Sequence, residues 1–310
     1  MRRAVVALAA AHAALLVGCP KDEHTPAPGV VSDAAPLTRP SALASAPSAT
    51  VTTPPPTATA APPKPCRAIA VAGIVRPDAD AGAPLHPGET LGDALLSLGE
   101  GGAITAKDPT SARETTLDGP GLGRLCVANE AEAWVVRGGF SSVPGAGEAP
   151  GAEQWVVTPF GALRYAVALL KVTVAKDATT VRIIHGAAWA LAKVTFAADA
   201  GAMPAAGAPH ADPAGWTLIP EGTTATLSPD GDAKARVERC AAAAKDARTL
   251  GATILSPDAN LAELTPKHVE ARRKARALCA IALVSAEAAA SADLRAKARA
   301  ADADWRRVGD

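Results

Sequence analysis

The chain has 310 residues, with 31 Lys plus Arg against 31 Asp plus Glu, so its formal net charge is zero. That balance argues against a dedicated nucleic-acid binder, which needs a basic face to grip phosphates. Hydrophobic residues make up 48%, but much of this is alanine and aromatics are only 3%, so a core must rest on Val, Leu, Ile and a few tryptophans.

Arg2 and Arg3 precede an apolar segment, Ala4 to Val17, that is too short to span a bilayer stably. It closes on Leu16-Val17-Gly18-Cys19, the layout of a secretory signal rather than of a transmembrane helix. The tetrapeptide resembles the lipobox of bacterial lipoproteins. The resemblance implies cleavage before Cys19, lipidation of its thiol and new amino group, and membrane attachment through that lipid. Two or more acyl chains on one residue give stable anchoring where one gives only marginal binding. Sorting then depends on Pro20, Lys21 and Asp22. The expectation is the outer membrane in preference to the inner, with the body in the periplasm or at the cell surface. No later stretch approaches ~18 consecutive apolar residues.

From Pro20 to Pro65 the chain is Pro, Ala, Thr and Ser, with no aromatic residue and few charges. Proline fixes φ and removes donors, and the small polar residues bring no apolar surface to offset ordering entropy. The segment reads as a disordered tether with an extended limit on the order of 140 Å. Four regions result: residues 1–18, a signal; 19–65, the lipidated cysteine and tether; 66–230, a β-domain; and 231–310, a helical region.

Between Arg67 and Leu227 short β-prone runs alternate with Gly, Pro and Asp breakers. The runs are Ile69 to Val75, Ala133 to Val136, Gln154 to Thr158, Val167 to Val174, Thr180 to Ile184 and Ala187 to Phe196. Leu91 to Leu98 reads as a strand or a helical turn. Breakers are expected at Pro87-Gly88, Gly101-Gly102, Asp118-Gly119-Pro120-Gly121 and Gly138-Gly139. Many short strands with frequent turns imply an all-β domain: a sandwich, a roll or a short solenoid. Within Val157-Thr158-Pro159-Phe160-Gly161, Pro159 cannot donate to a ladder, so a corner is expected there.

The punctuation of this half is distinctive. Val71-Ala72-Gly73-Ile74-Val75 is followed by Leu85-His86-Pro87-Gly88-Glu89-Thr90-Leu91, Gly101-Gly102-Ala103-Ile104 and Thr116-Leu117-Asp118-Gly119-Pro120-Gly121. Trp134-Val135-Val136-Arg137-Gly138-Gly139, Val157 to Gly161 and Val181-Arg182-Ile183-Ile184-His185-Gly186-Ala187 complete the series. Over residues 67–196 it resembles the FecR-type periplasmic β-domain. The chain departs from FecR regulators in showing no cytoplasmic anti-sigma segment and no transmembrane helix. The resemblance therefore implies a stand-alone envelope protein using the domain as a structural or binding module, not direct control of a sigma factor.

From Asp232 onward Ala, Arg, Lys, Asp and Glu dominate. Asp232 to Leu250 reads as a helix with Gly251 as its stop, and Thr265-Pro266 as the cap and first residue of a second helix through Ala289. Ser291 to Val308 is its continuation or a third helix capped at Ser291. Arg272, Arg273, Lys274 and Arg276 form a basic cluster on the second helix. The cluster reads either as a grip for an anionic polymer or headgroup, or as a solvated face paired with Glu270, Asp246 and Glu238.

With Cys19 spent on lipid, Cys66, Cys126, Cys240 and Cys279 are left, and an oxidising compartment favours two disulfides. In an antiparallel hairpin Cys240 and Cys279 lie ~16 and ~20 Å from the same end, close enough to bridge. Cys66 then pairs with Cys126, pinning the start of the β-domain against its middle.

Signs of chemistry are sparse. The histidines are scattered, neither HExxH nor GxSxG occurs, and Ser141-Ser142 has no located base. The Gly119 to Gly123 cluster lacks the Lys-Ser/Thr ending of a phosphate loop. The expectation is a non-catalytic protein without cofactor or metal, whose partner is an envelope protein or polymer. The alternative is a glycan-binding or glycan-processing protein using Trp134, Trp155, Trp189 and Trp216, which requires at least two of them exposed beside paired carboxylates.

Overall fold

The computed structural model describes residues 66–77, 83–92, 94–107, 113–127, 132–145, 153–197, 212 and 214–307. Cys19 and the tether lie outside them. The described part is a barrel-like β-sheet followed by three helices. The first five strands are β1 (Arg67–Ala72), β2 (Val75–Pro77), β3 (Leu96–Leu98), β4 (Ala103–Lys107) and β5 (Glu114–Arg124). Next come β6 (Glu132–Val143), β7 (Gln154–Thr158), β8 (Gly161–Tyr165), β9 (Ala168–Val174) and β10 (Thr179–Gly186). The sheet is completed by β11 (Ala188–Leu191), β12 (Lys193–Phe196), β13 (Thr217–Ile219) and β14 (Thr224–Ser228). The main path runs β12-β14-β10-β9-β6-β7-β8-β11-β13, and β5 links it to β1–β4. The β6–β7 pair is parallel; the other paired strands are antiparallel.

Two expected breakers lie inside the longest strands. Of Leu91 to Leu98 only the last three residues form a strand, β3, and none of the described ones is helical. β5 pairs β4 through Glu114–Asp118 and β3 through Gly121–Gly123, so Asp118-Gly119-Pro120-Gly121 is where the strand changes partner. β6 does likewise, meeting β7 at Glu132–Trp134 and β9 at Gly138–Ser142. The two bends stack on each other. Gly138 has φ +97, and a Cβ there would meet the Asp118 carbonyl oxygen at 2.8 Å and the Gly121 Cα at 2.9 Å. These glycines permit close backbone approach at a bulge, a role that composition alone does not separate from a turn. The run Ala187 to Phe196 splits the other way, into β11 and β12 toward opposite ends of the sheet path. Pro159 and Phe160 form the expected corner, the tight β7–β8 turn.

Alternation explains where the helices sit. In β9, and in β10 as far as Ile183, every second residue is buried, the pattern of strands with one face wet. β7 is buried at all five positions and β6 at its first five. Ala133, Val135 and Val156 enter one core, enclosed by the sheet. Trp134, Val136, Trp155 and Val157 face the other way and enter a second core with the helices. A sheet region buried on both faces needs a second layer, and the C-terminal helices supply it.

The helices are α1 (Ala233–Ile254), α2 (Leu261–Ala288) and α3 (Ala292–Arg306). Asp232 caps α1 as expected, its side chain accepting from the Ala235 N–H at 2.8 Å. Gly251 does not stop the helix; it is buried within α1, which runs on to Ile254. Asn260, not Thr265, precedes α2, and Pro266 falls inside it. There it removes one intrahelical hydrogen bond near the N-terminal end, where few are yet made. Ser291 caps α3 through the Leu294 N–H, so the tail has a third helix. Between α2 and α3, Ala290 has φ +51, and the N–H groups of Ala290 and Ser291 donate to Glu287 and Ala286. This is a Schellman stop with alanine where glycine is usual.

Candidate functional site

The structure joins Cys66 to Cys126 and Cys240 to Cys279, with Cα separations of 6.2 and 4.5 Å. The first bridge closes the β-domain on itself; the second ties α1 to α2. Two disulfides fit a protein matured outside the reducing cytosol. Among the described residues no helix is long and apolar enough to cross a membrane.

The tryptophans lie under the helices. Trp134, Trp155 and Trp216 are buried and Trp189 is partly buried. Trp155 and Trp216 meet edge to face, with centroids 5.4 Å apart. Arginines cover these rings. Arg124 lies over Trp134, Arg276 over Trp155, and Arg164 over both Trp216 and Trp189. Guanidinium faces on indoles combine dispersion with the attraction of a cation for the ring quadrupole.

The basic cluster is split by this arrangement. Arg276 faces the sheet, where its Nη2 and Nε donate to Glu132 Oε2 at 2.8 and 3.2 Å. Glu132 also accepts from the Trp134 indole N–H at 2.6 Å through its other oxygen. The carboxylate is 5% exposed and the Arg276 side chain 25%. Arg273 bridges Glu270 at 3.0 Å and reaches Glu153 at 3.8 Å. Glu153 also meets Arg164, which is held at 3.1 Å by Asp212. Of the expected partners only Glu270 pairs within the cluster; the other acids come from the sheet side. The sequence offered one sign of this, because Glu132 and Trp134 are two apart and therefore share a face of β6.

Arg272 has a different setting. It lies 6.0 Å over the Trp305 ring, and no described carboxylate is within 4.0 Å of it. It lines an open cleft of about 440 Å³ with Glu153, Arg273, Arg276, Trp305 and Arg306. One turn before Arg272, His268 has a buried Nε2 without a hydrogen-bond partner. Burial first, and the Arg272 charge second, hold the His268 pKa below its ordinary value. Lys274 points to the opposite side of α2.

Other singled-out residues have structural places. Ser141 and Ser142 lie in β6, where Ser142 is buried and accepts from Arg113 at 3.1 Å. His185 is exposed and meets Glu221 at 3.1 Å. Gly119 to Gly123 lie in β5 and front no helix.

No family profile and no curated protein matches this chain. Among solved structures it is similar to a proposed anti-sigma factor from Parabacteroides distasonis ATCC 8503, at 10% identity and a TM-score of 0.31. That match covers 44% of this chain and 56% of the other, and at such a score it carries no argument.

Proposed function

We propose that this is a lipid-anchored envelope protein whose body is a non-catalytic binding module with a FecR-like β-domain, carried on a tether after Cys19. Support for the anchor is the Leu16-Val17-Gly18-Cys19 sequence together with two disulfides. The observation that carries the binding role is the Arg272 cleft. It is a concave, arginine-lined surface on a cross-linked frame, with one guanidinium that no described carboxylate neutralises. Arginine forks suit carboxylate or phosphate groups, so the reading names an acidic protein segment or envelope polymer as partner. The glycan reading needs exposed tryptophans side by side, and Trp134, Trp155 and Trp216 are buried.

The test has two arms. A palmitate analogue fed to cells should label the wild type and not Cys19→Ser. Pull-down from intact envelopes should recover partners with the wild type that Arg272→Glu loses. Equal labelling refutes the anchor, and identical partner sets refute the cleft.

A further inference from the structure

A second cavity lies on the far side of α2, and a buried arginine lines it. Arg236, in the first turn of α1, is only 8% exposed. Its Nη1 donates to Ser285 Oγ at 3.0 Å and its Nη2 to the Gly231 carbonyl at 2.9 Å. Ser285 in turn donates to the Pro159 carbonyl at 3.0 Å, so α1, α2 and the β7–β8 turn converge on one guanidinium. Its ring neighbour is Phe160, at 5.7 Å. Among the described residues, every acceptor on Arg236 is neutral. Asp230 and Asp232 act on it only at longer range, and Arg239 opposes them. A buried cation without a directly bonded anion is costly.

The cavity beside it measures about 430 Å³, within the size range of small-molecule sites. Among the described residues, three further cations line it, Lys193, Arg239 and Lys274, against one carboxylate, Asp230, which Arg239 already binds. Neither lysine has an ion pair among the described residues. The remaining walls include Phe160, Leu191, Leu278 and Ile281.

This cavity continues into a groove. Arg239, Lys274 and Leu278 also line a neighbouring depression of about 620 Å³ between α1 and α2. Its apolar lining is Ala242, Ala243, Leu250, Ala271 and Leu278, with Ala243 buried at its base and Ala242 exposed at its edge, and it follows α1 from Arg239 to Leu250 for ~16 Å. Alanine on both facing helices leaves room between the longer side chains that border the groove. Its one acid, Asp246, stands two turns along α1 from Arg239. Positive charge is therefore concentrated at the Arg236 end, and among the described residues the groove's one acid, Asp246, lies toward the other. That polarity fits a ligand with an anionic head and an apolar tail, in one orientation.

We infer that the cavity and groove bind a single-chain amphiphile with a carboxylate head. The carboxylate sits among Arg236, Arg239, Lys193 and Lys274, and the acyl chain lies along Ala242, Ala243 and Ala271. This site is separate from the Arg272 cleft and stands or falls without it.

The experiment is equilibrium dialysis of radiolabelled dodecanoate, below its micellar concentration, against the full chain carrying Cys19→Ser so that no attached acyl chain competes. Saturable binding at one site is expected. Lys193→Glu with Lys274→Glu, both exposed and outside the folded core, should weaken it about tenfold or more. Ala242→Asp, at the groove's exposed edge, should also weaken it. Dodecyltrimethylammonium and dodecanol should fail to displace the label, and acetate should fail at equal concentration. Absence of saturable binding overturns the inference. So does displacement by the cationic or neutral chain, which would mean no recognition of charge, or by acetate, which would mean no role for the groove. Unchanged affinity in the double lysine variant, with native circular dichroism, overturns it as well.

Discussion

The buried pair between Glu132 and Arg276 predicts an asymmetric response to removing either partner. Glu132 is 5% exposed and accepts three hydrogen bonds, two from Arg276 and one from the Trp134 indole. Arg276→Met keeps an apolar stem against Trp155 but leaves a buried carboxylate with only the indole. Breaking a buried pair in this way costs about 3–5 kcal/mol. Arg276 is a quarter exposed, so water can reach the vacated side, and the low end, about 3 kcal/mol, is the expected loss. Glu132→Gln is gentler. The amide carbonyl still accepts from Trp134, and Arg276 can turn to solvent, for a loss of about 1–1.5 kcal/mol. The double variant removes both charges, and its loss should fall roughly 2 kcal/mol short of the sum of the singles. Urea unfolding followed by tryptophan emission, with the disulfides intact, measures all three. In thermal melts Arg276→Met should lower Tm by about 6–12 °C for a body of this size. Additive singles, or a larger loss for Glu132→Gln than for Arg276→Met, would refute the assignment of this pair as the clamp between sheet and helices.

Two further outcomes follow from local geometry. Ala290→Gly should stabilise the protein by about 1 kcal/mol, since Ala290 holds φ +51 at the α2 stop, where a Cβ is penalised and glycine is not; an unchanged or lower urea midpoint would contradict the Schellman reading. His268 should titrate below its ordinary 6.5, because burial and Arg272 disfavour its charged form. The unfolded chain then takes up a proton that the folded one refuses. Stability falls as pH drops through about 6.5 and levels off below the folded pKa. His268→Gln should flatten that slope, and an NMR titration midpoint at or above 6.5 would exclude the mechanism.

The strands that sequence reveals best are those whose alternation or apolar runs reflect local burial. Val172 and Val174, or Val181 and Ile183, announce β9 and β10 because their partners sit on the same sheet and their outer face is wet. β5 and β6 defeat the same logic. Gly119, Pro120 and Gly138 are read as interruptions, yet they lie where a long strand exchanges one neighbour for another, a property of distant chain that no window of residues contains. The helix ends show the converse. Asp232 and Ser291 cap through their own side chains and are legible, whereas Gly251 and Pro266 are carried through by tertiary burial and by the earlier start at Leu261.

The same distinction governs the candidate sites. The basic cluster on α2 is plain in the sequence, but helical spacing offers only Glu270, Asp246 and Glu238 as partners. In the fold the cluster divides around the helix. Arg276 turns inward to Glu132, Arg273 sits between Glu270 and Glu153, Arg272 faces the open cleft and Lys274 the opposite cavity. A run of four cations on one helix thus serves one structural clamp and two separate surfaces. Arg236 gives no warning at all in the sequence, where it is one of many arginines in an alanine-rich tail. What singles it out is burial without a bonded anion, and that arises because Ser285 of α2 and the Pro159 turn close over the first turn of α1. The charge imbalance at the cavity is therefore a product of docking the helices on the sheet. Residues far apart in the chain, Lys193 on β12 and Lys274 on α2, become parts of one electropositive pocket only in the assembled protein.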